Sequence, residues 1–350
     1  MKDPSNLKPQ HSVLSTQSHQ AVLFIGFGGP EKREDIRPFL ERVTQGRGIP
    51  PERMAEVAQH YERIGGASPI NTITQRQADG LRAALAKTDT PWSVYVGNRN
   101  WRPFLEDTLR RMAADGVKRA IGFVTAAYRC EASWERYLNA VERARERAGE
   151  RAPTIDYVSP WFDHPLFIEA ICDRIKSVIP RGHWRGIRQT TGGRRSCGVH
   201  GSPTEALGDD GMTWIFTAHS IPIPMAEASR YVQELTKTAE LVAQKFGQKR
   251  WSLAYTSRSG LPEEPWLEPD ACDAIRKEAA HGRKEILIIP IGFIADHVEV
   301  LFDLDVEAKD AAQKAGVKLL RAQTVGDHPL FLQMMADVIR KTAEACVPHP

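Results

Sequence analysis

Cysteine is scarce in this chain and nowhere paired. Cys130, Cys172, Cys197, Cys272 and Cys346 never come closer than 25 residues, and no CxxC occurs. That spacing excludes a disulfide framework and a tetrahedral zinc site, and it suits a reducing compartment, so a cytoplasmic location is expected. No apolar run approaches the roughly 20 residues of a membrane-spanning helix, so no transmembrane segment is expected. Neither sign of charge is in excess: 47 basic against 44 acidic residues leave a net charge of +3, which gives no argument for a nucleic-acid partner. Residues 1–19 lack the apolar stretch of a signal peptide and read as a disordered leader. Nucleotide signatures are also missing. Glu31 stands where Gly26, Gly28 and Gly29 would need a last glycine for GxGxxG, and there is no GxxxxGK[ST]. Ser220 lacks the flanking glycines of a nucleophile elbow, which removes a serine hydrolase.

What is present is a globular composition, 41% hydrophobic and 26% charged, long enough for two domains. Short apolar strands alternate with amphipathic helices: AVLFIGF from Ala21, WSVYVG from Trp92, RAIGFVTA from Arg119 and a fourth strand at Thr154 to Ser159. The second part of the chain repeats this order. WIFTA (Trp214–Ala218) answers the first strand, Trp251-Ser252-Leu253 answers Trp92-Ser93-Val94, and DHPLF occurs at Asp163–Phe167 and again at Asp327–Phe331. This predicts an α/β fold of two similar halves, each a roughly four-stranded parallel sheet flanked by helices, with a ligand cleft between them. The expected bounds are 20–165 and 166–350, with a flexible insertion at 181–212 and a C-terminal helix. Within the insertion, Cys197 and His200 make too few ligands for a site. The DHPLF histidines read as parts of helix N-caps beside a proline rather than as metal ligands.

The segment Glu285–Ala308, EILIIPIGFIADHVEVLFDLDVEA, carries the densest chemistry. A buried β-branched run leads to Asp296 at an expected N-cap, with Glu299 three residues on as in a capping box. At helical spacing Asp296, Glu299, Asp303 and Glu307 share one face, with His297 beside them. A solvated acidic face is the commoner reading for an arbitrary helix. Here the acids begin at the carboxyl end of a parallel strand, where open α/β sheets bind ligands, and no lysine or arginine stands between Asp296 and Lys309. His219 ends the WIFTA strand. With strands one and three as neighbours, His219 and Glu299 converge, forming an open site for a divalent metal or a base with a proton relay.

TAHSIP, IGFIADHVEVLFDLDVEA, YERIGGASPI and FGGPE together resemble the ferrochelatase family, from about Ala21 to about Ala343. The resemblance implies Rossmann-like halves of the chelatase fold and insertion of ferrous iron into a porphyrin during haem synthesis. His219 and Glu299 then match the paired residues at the metal-insertion site, and Phe27, Ser68 and Tyr137 match porphyrin contacts. Asp296, His297, Asp303 and Glu307 become a secondary acidic path for iron or protons. Phe27 replaces the tyrosine that ligates iron in firmicute-type relatives. Arg47 and Arg42 are the candidate propionate partners. FGGP and GNRNW (Gly97–Trp101) are most like the coproporphyrin III enzymes of actinobacterial or acidobacterial type. Those relatives often bind an iron–sulfur cluster through C-terminal cysteines; Cys346 is alone here, so no cofactor beyond iron and porphyrin is expected. Protoporphyrin IX as substrate, or a haem carrier of the same fold, are the alternatives. Nothing in the sequence demands an oligomer, and a monomer meeting haem-pathway partners transiently is expected.

Overall fold

The computed structural model describes residues 21–46, 48–86, 92–179, 212–259 and 264–346. The expected leader, Arg47, and the insertion residues 181–211 with Cys197 and His200 lie outside the described residues.

The first half runs β1 (Ala21–Gly26), α1 (Arg33–Thr44), α2 (Pro51–Arg63), α3 (Ile70–Leu85), β2 (Ser93–Asn98), α4 (Leu105–Ala114), β3 (Arg119–Val124), α5 (Glu135–Ala148), β4 (Thr154–Tyr157) and α6 (Pro165–Val178). The second runs β5 (Met212–His219), α7 (Ile223–Glu227), α8 (Tyr231–Phe246), β6 (Trp251–Thr256), α9 (Ala271–Ala280), β7 (Glu285–Ile289), α10 (Val298–Leu301), a π-helical turn (Asp303–Ala308), α11 (Lys309–Lys314), β8 (Lys318–Arg321) and α12 (Pro329–Ala345). The two four-stranded sheets have orders β2-β1-β3-β4 and β6-β5-β7-β8, with every pair parallel. Parallel pairing forces a crossover between successive strands, and the helices supply it. Met212, placed in the insertion by the sequence, opens β5: its side chain is buried and its register partner is Glu285.

Strand alternation sorts each sheet's side chains into two cores. Val22 and Phe24 of β1 and Trp214, Phe216 and Ala218 of β5 face one central core, filled by α3, α6, α8 and α12. Ala21, Leu23 and Ile25 face an outer core under α4 and α5, and Ile215, Ile286 and Ile288 face another under α9 and α11. Both faces of both sheets are therefore covered, which is why these strands read as continuous apolar runs. A small fourth cluster joins the halves at the cleft: Ile36, Phe39, Leu40 and Tyr61 pack against Val298 and Phe302.

The DHPLF repeats cap α6 and α12, as the sequence predicts, and the histidines do the capping. His164 and His328, not the aspartates before them, accept through Nδ1 from the backbone N–H of Leu166 at 3.2 Å and Leu330 at 3.3 Å. Pro165 and Pro329 then occupy the first helical turn, where a missing N–H costs nothing.

Candidate active site

β5 and β7 are hydrogen-bonded neighbours, so their carboxyl ends open side by side. Gly292 in the loop after β7 makes the approach close. Its N–H donates to Thr217 O at 3.0 Å, and a Cβ there would stand 2.5 Å from Ala218 Cα. His219 and Glu299 consequently meet, with Nε2 to Oε2 at 3.7 Å. Both side chains remain about one-third exposed (31% and 32%), enough to reach a ligand.

Backbone carbonyls orient the two histidines flanking Glu299. His219 Nδ1 faces the Ser220 carbonyl, which can only accept, so Nδ1 carries the hydrogen. This makes Nε2 the nitrogen that faces Glu299. The His219 carbonyl is itself held, by the buried Tyr231 hydroxyl donating at 2.9 Å. His297 has acceptors at both nitrogens: Nδ1 lies 3.2 Å from Ala295 O and Nε2 lies 3.3 Å from Glu299 Oε2. Burial opposes its charge, yet the Glu299 carboxylate outweighs burial and raises the His297 pKa. For Glu299 burial likewise favours the neutral acid, but His219 and His297 overcome it and bring the pKa down to about 2. Glu299 is thus an anion held between two imidazoles.

The acidic row is not the straight stripe that the spacing predicts. Asp296 precedes the helix, because His297 is extended (φ −153°) and α10 starts only at Val298. No capping bond forms from that position. Asp296 instead accepts from Thr324 Oγ1 at 2.9 Å and lies 3.6 Å from Arg321. After α10 the backbone widens: Phe302 O accepts from both Val306 and Glu307 N–H at 3.0 Å, the five-residue loop of a π-turn. Asp303 remains beside Glu299 and accepts from the Ser257 hydroxyl. Burial, reinforced by Glu299 and Glu307, pushes the Asp303 pKa up to about 8. Glu307 lines a cavity of about 650 Å³ with Arg63, Asp270, Cys272 and Lys314. Its pKa is raised, first by burial and then by Asp270.

The aromatic positions come from the first half. Phe27 packs edge-on to Phe39 at 6.2 Å and joins the cluster holding Phe302. Gly28, at φ +81°, turns the chain there so tightly that a Cβ would meet Trp101 N at 2.9 Å. Tyr137 is buried, with Arg99 over its ring at 5.5 Å, and its hydroxyl feels the Glu299 charge. Ser68 is buried behind this turn, donating from its backbone N–H to Pro30 O at 2.8 Å. Arg42 is stacked on Phe104 at 4.2 Å.

Sequence reasoning missed three contributors. Tyr231 holds the His219 backbone, and Ser257 meets Asp303 from a left-handed conformation (φ +63°) that only the fold reveals. His60 stacks on Phe302 at 3.7 Å, and this contact joins α2 to the start of the π-turn. The one available signal was the spacing of His60 and Tyr61 before GGASP. Among the described residues, no group of three or more His, Cys, Asp or Glu is placed to hold a metal.

The ferrochelatase family model matches residues 19–343. The chain belongs to the ferrochelatase family. These enzymes are lyases that insert ferrous iron into a porphyrin. The chain is 39% identical over 324 residues to a ferrochelatase of Rhodopirellula baltica, covering 92% of this chain and 86% of that one. It is 40% identical over 322 residues to a coproporphyrin III ferrochelatase of Mycolicibacterium paratuberculosis, covering 91% and 87%. The solved sirohydrochlorin chelatase SirB of Bacillus subtilis subspecies spizizenii, in complex with cobalt, shares the fold at a TM-score of 0.54 and 11% identity, over 94% and 97% of the chains. Among the described residues, no helix of this ferrochelatase is long and apolar enough to cross a membrane.

Proposed function

We propose that this ferrochelatase acts on coproporphyrin III, releasing two protons as ferrous iron enters to give coprohaem. The observation that carries the chemistry is the approach of His219 Nε2 to the Glu299 carboxylate at 3.7 Å. A porphyrin can bind iron through four nitrogens only after two pyrrole N–H protons leave. His219 Nε2 accepts them in turn, and Glu299 stabilises the resulting imidazolium and the arriving cation. His297 orients Glu299 from the other side. Asp303 and Glu307 pass protons outward or iron inward, and Phe27, Ser68 and Tyr137 contact the macrocycle. The substrate assignment draws on what the mycobacterial relative is named for. The enzyme works in the cytoplasm as a monomer, with no resident cofactor.

Anaerobic turnover of ferrous iron with coproporphyrin III and, in parallel, protoporphyrin IX tests this. Faster metallation of coproporphyrin III, lost in His219→Ala and sharply reduced in Glu299→Gln, supports it. A preference for protoporphyrin IX overturns the substrate and leaves the enzyme; tight haem binding with no metallation of either porphyrin makes the chain a carrier.

A further inference from the structure

Arg129 is a cation without a carboxylate partner at the ligand-binding edge of the first sheet. It stands five residues past the end of β3, in the loop leading to α5. Its backbone N–H donates to Glu234 Oε2 at 2.9 Å, which ties this loop to α8 of the second half. The guanidinium carbon lies 4.0 Å from the centre of the Trp134 ring, so the indole face fixes its plane. Among the described residues Arg129 forms no ion pair, and its buried Nε–H finds no acceptor. The nearby acids are Glu234, already engaged by the Arg129 backbone, and Glu135 at the start of α5. Burial lowers the guanidinium pKa against the pull of both.

The surroundings of Arg129 belong to the active site. Tyr128, the residue before it, packs edge-on against Tyr231 at 6.3 Å, and Tyr231 holds the His219 carbonyl. Trp134, on which the guanidinium lies, comes three residues before Tyr137. The Nε–H is sealed off, but the two terminal nitrogens enter no hydrogen bond among the described residues, and such an oriented, half-buried guanidinium end is suited to a planar carboxylate, which it can bind through two parallel hydrogen bonds. The other cations at this edge are differently placed, since Arg42 lies on Phe104 and Arg99 over Tyr137.

We propose that Arg129 is a specificity-determining residue that receives a side-chain carboxylate of the porphyrin. This rests on the reading of the substrate as a porphyrin carboxylic acid. The test compares metal-free coproporphyrin III, a tetracarboxylate, with its tetramethyl ester in the same detergent, reading binding by tryptophan fluorescence quenching and metallation by absorbance. Arg129→Met, which keeps the side chain's length without its charge, raises Kd and KM for the free acid about tenfold or more. It leaves kcat within about twofold and leaves the ester unaffected, because only the charge-assisted contact is lost. Arg129→Lys, which keeps the charge but not the fork, recovers part of the loss for the acid alone. Equal losses for acid and ester, or an unchanged Kd for the acid in a folded Arg129→Met protein, overturn the assignment. A wild-type protein that binds neither compound overturns the porphyrin reading and the proposal with it.

Discussion

At the carboxyl end of its first strand the first half carries Ile25, fully buried, and the second carries His219, with 31% of its side chain exposed. The two positions are not in the same register: Ile25 O accepts from Thr125 N–H as Thr217 O accepts from Gly292 N–H, so Phe27, two residues further on, is the counterpart of His219. Ile25 is covered by the outer core that includes Leu105, Leu109 and Val124. Beyond the third strand the halves part again: the first continues through Tyr128 and Arg129 to Tyr137, the second through Gly292 to His297 and Glu299. The duplicated skeleton is retained where strands and helices pack, since any change there opens a cavity or a clash. It diverges at the strand ends, where side chains face the cleft. Aromatic and cationic groups gather on one side, and a base with acids gathers on the other.

Exchanging the two strand-end residues breaks this comparison most severely. His219→Ala lowers metallation by about a hundredfold to ten-thousandfold, the range for loss of a general base, with little change in unfolding midpoint. Ile25→His creates no second site; it buries an unpaired imidazole and costs about 2 kcal/mol or more in urea denaturation. An Ile25→His protein of full stability would show that the first half's edge is as open as the second's. Glu299→Gln follows, slowing turnover about a hundredfold by removing one preorganised charge. It also alters acid stability. With its pKa lowered to about 2, Glu299 contributes stability that is present above its ordinary value near 4.5 and lost as pH falls toward 2. The variant's stability loses that acid-limb dependence.

Asp303 has the opposite sign. Its pKa is raised to about 8, so the folded chain holds a proton that the unfolded chain releases near pH 4. Stability contributed by the neutral acid therefore declines as pH climbs from about 4 to about 8. Asp303→Asn, neutral at every pH, should melt higher than wild type at pH 8 and close to it at pH 4. Equal melting temperatures across that window would mean that Asp303 is already ionised. Combined with Glu307→Gln, it slows turnover more than it weakens porphyrin binding; unchanged turnover returns both acids to a surface role.

Much of this division is legible in the chain itself. Continuous apolar runs and the repeated words WS and DHPLF give the two sheets, because packing on both faces leaves a strong apolar signal. The meeting of His219 and Glu299 follows from two strand ends and a sheet order. The bend in the acidic row does not. Asp296 looks like a cap in sequence, yet Arg321 and Thr324, 25 and 28 residues away, draw it out of the file. The π-turn at Phe302 is equally silent, since DLDVEA carries no proline or glycine to mark it. It is set by packing on Tyr61 and His60 of a helix more than 200 residues earlier. Tertiary partners of that range cannot be read from local pattern.

The smallest effect tests whether the repeat is a true equivalence. His164 and Asp173 lie nine residues apart, as do His328 and Asp337, and the pairs cross: His164 Nε2 is 3.0 Å from Asp337, and His328 Nε2 is 3.8 Å from Asp173. Each ring thus caps its own helix through Nδ1 and reaches the other helix through Nε2. Removing either cap costs about 1 kcal/mol. His164→Ala costs more than His328→Ala, because only its Nε2 lies within hydrogen-bond distance of the crossing aspartate. Capping through Nδ1 requires that nitrogen unprotonated, so acid opposes it. At His328 burial, with Arg174 nearby, lowers the pKa against the pull of Asp173 and Asp327. The unfolded chain takes up that proton first, so stability from His328 is present above about pH 6.5 and is lost as pH falls below it. Urea midpoints at pH 7.5 and 5.5 should fall further in wild type than in His328→Ala. If the two proteins instead lose stability in parallel, the second copy of DHPLF keeps the shape of the first without its titration.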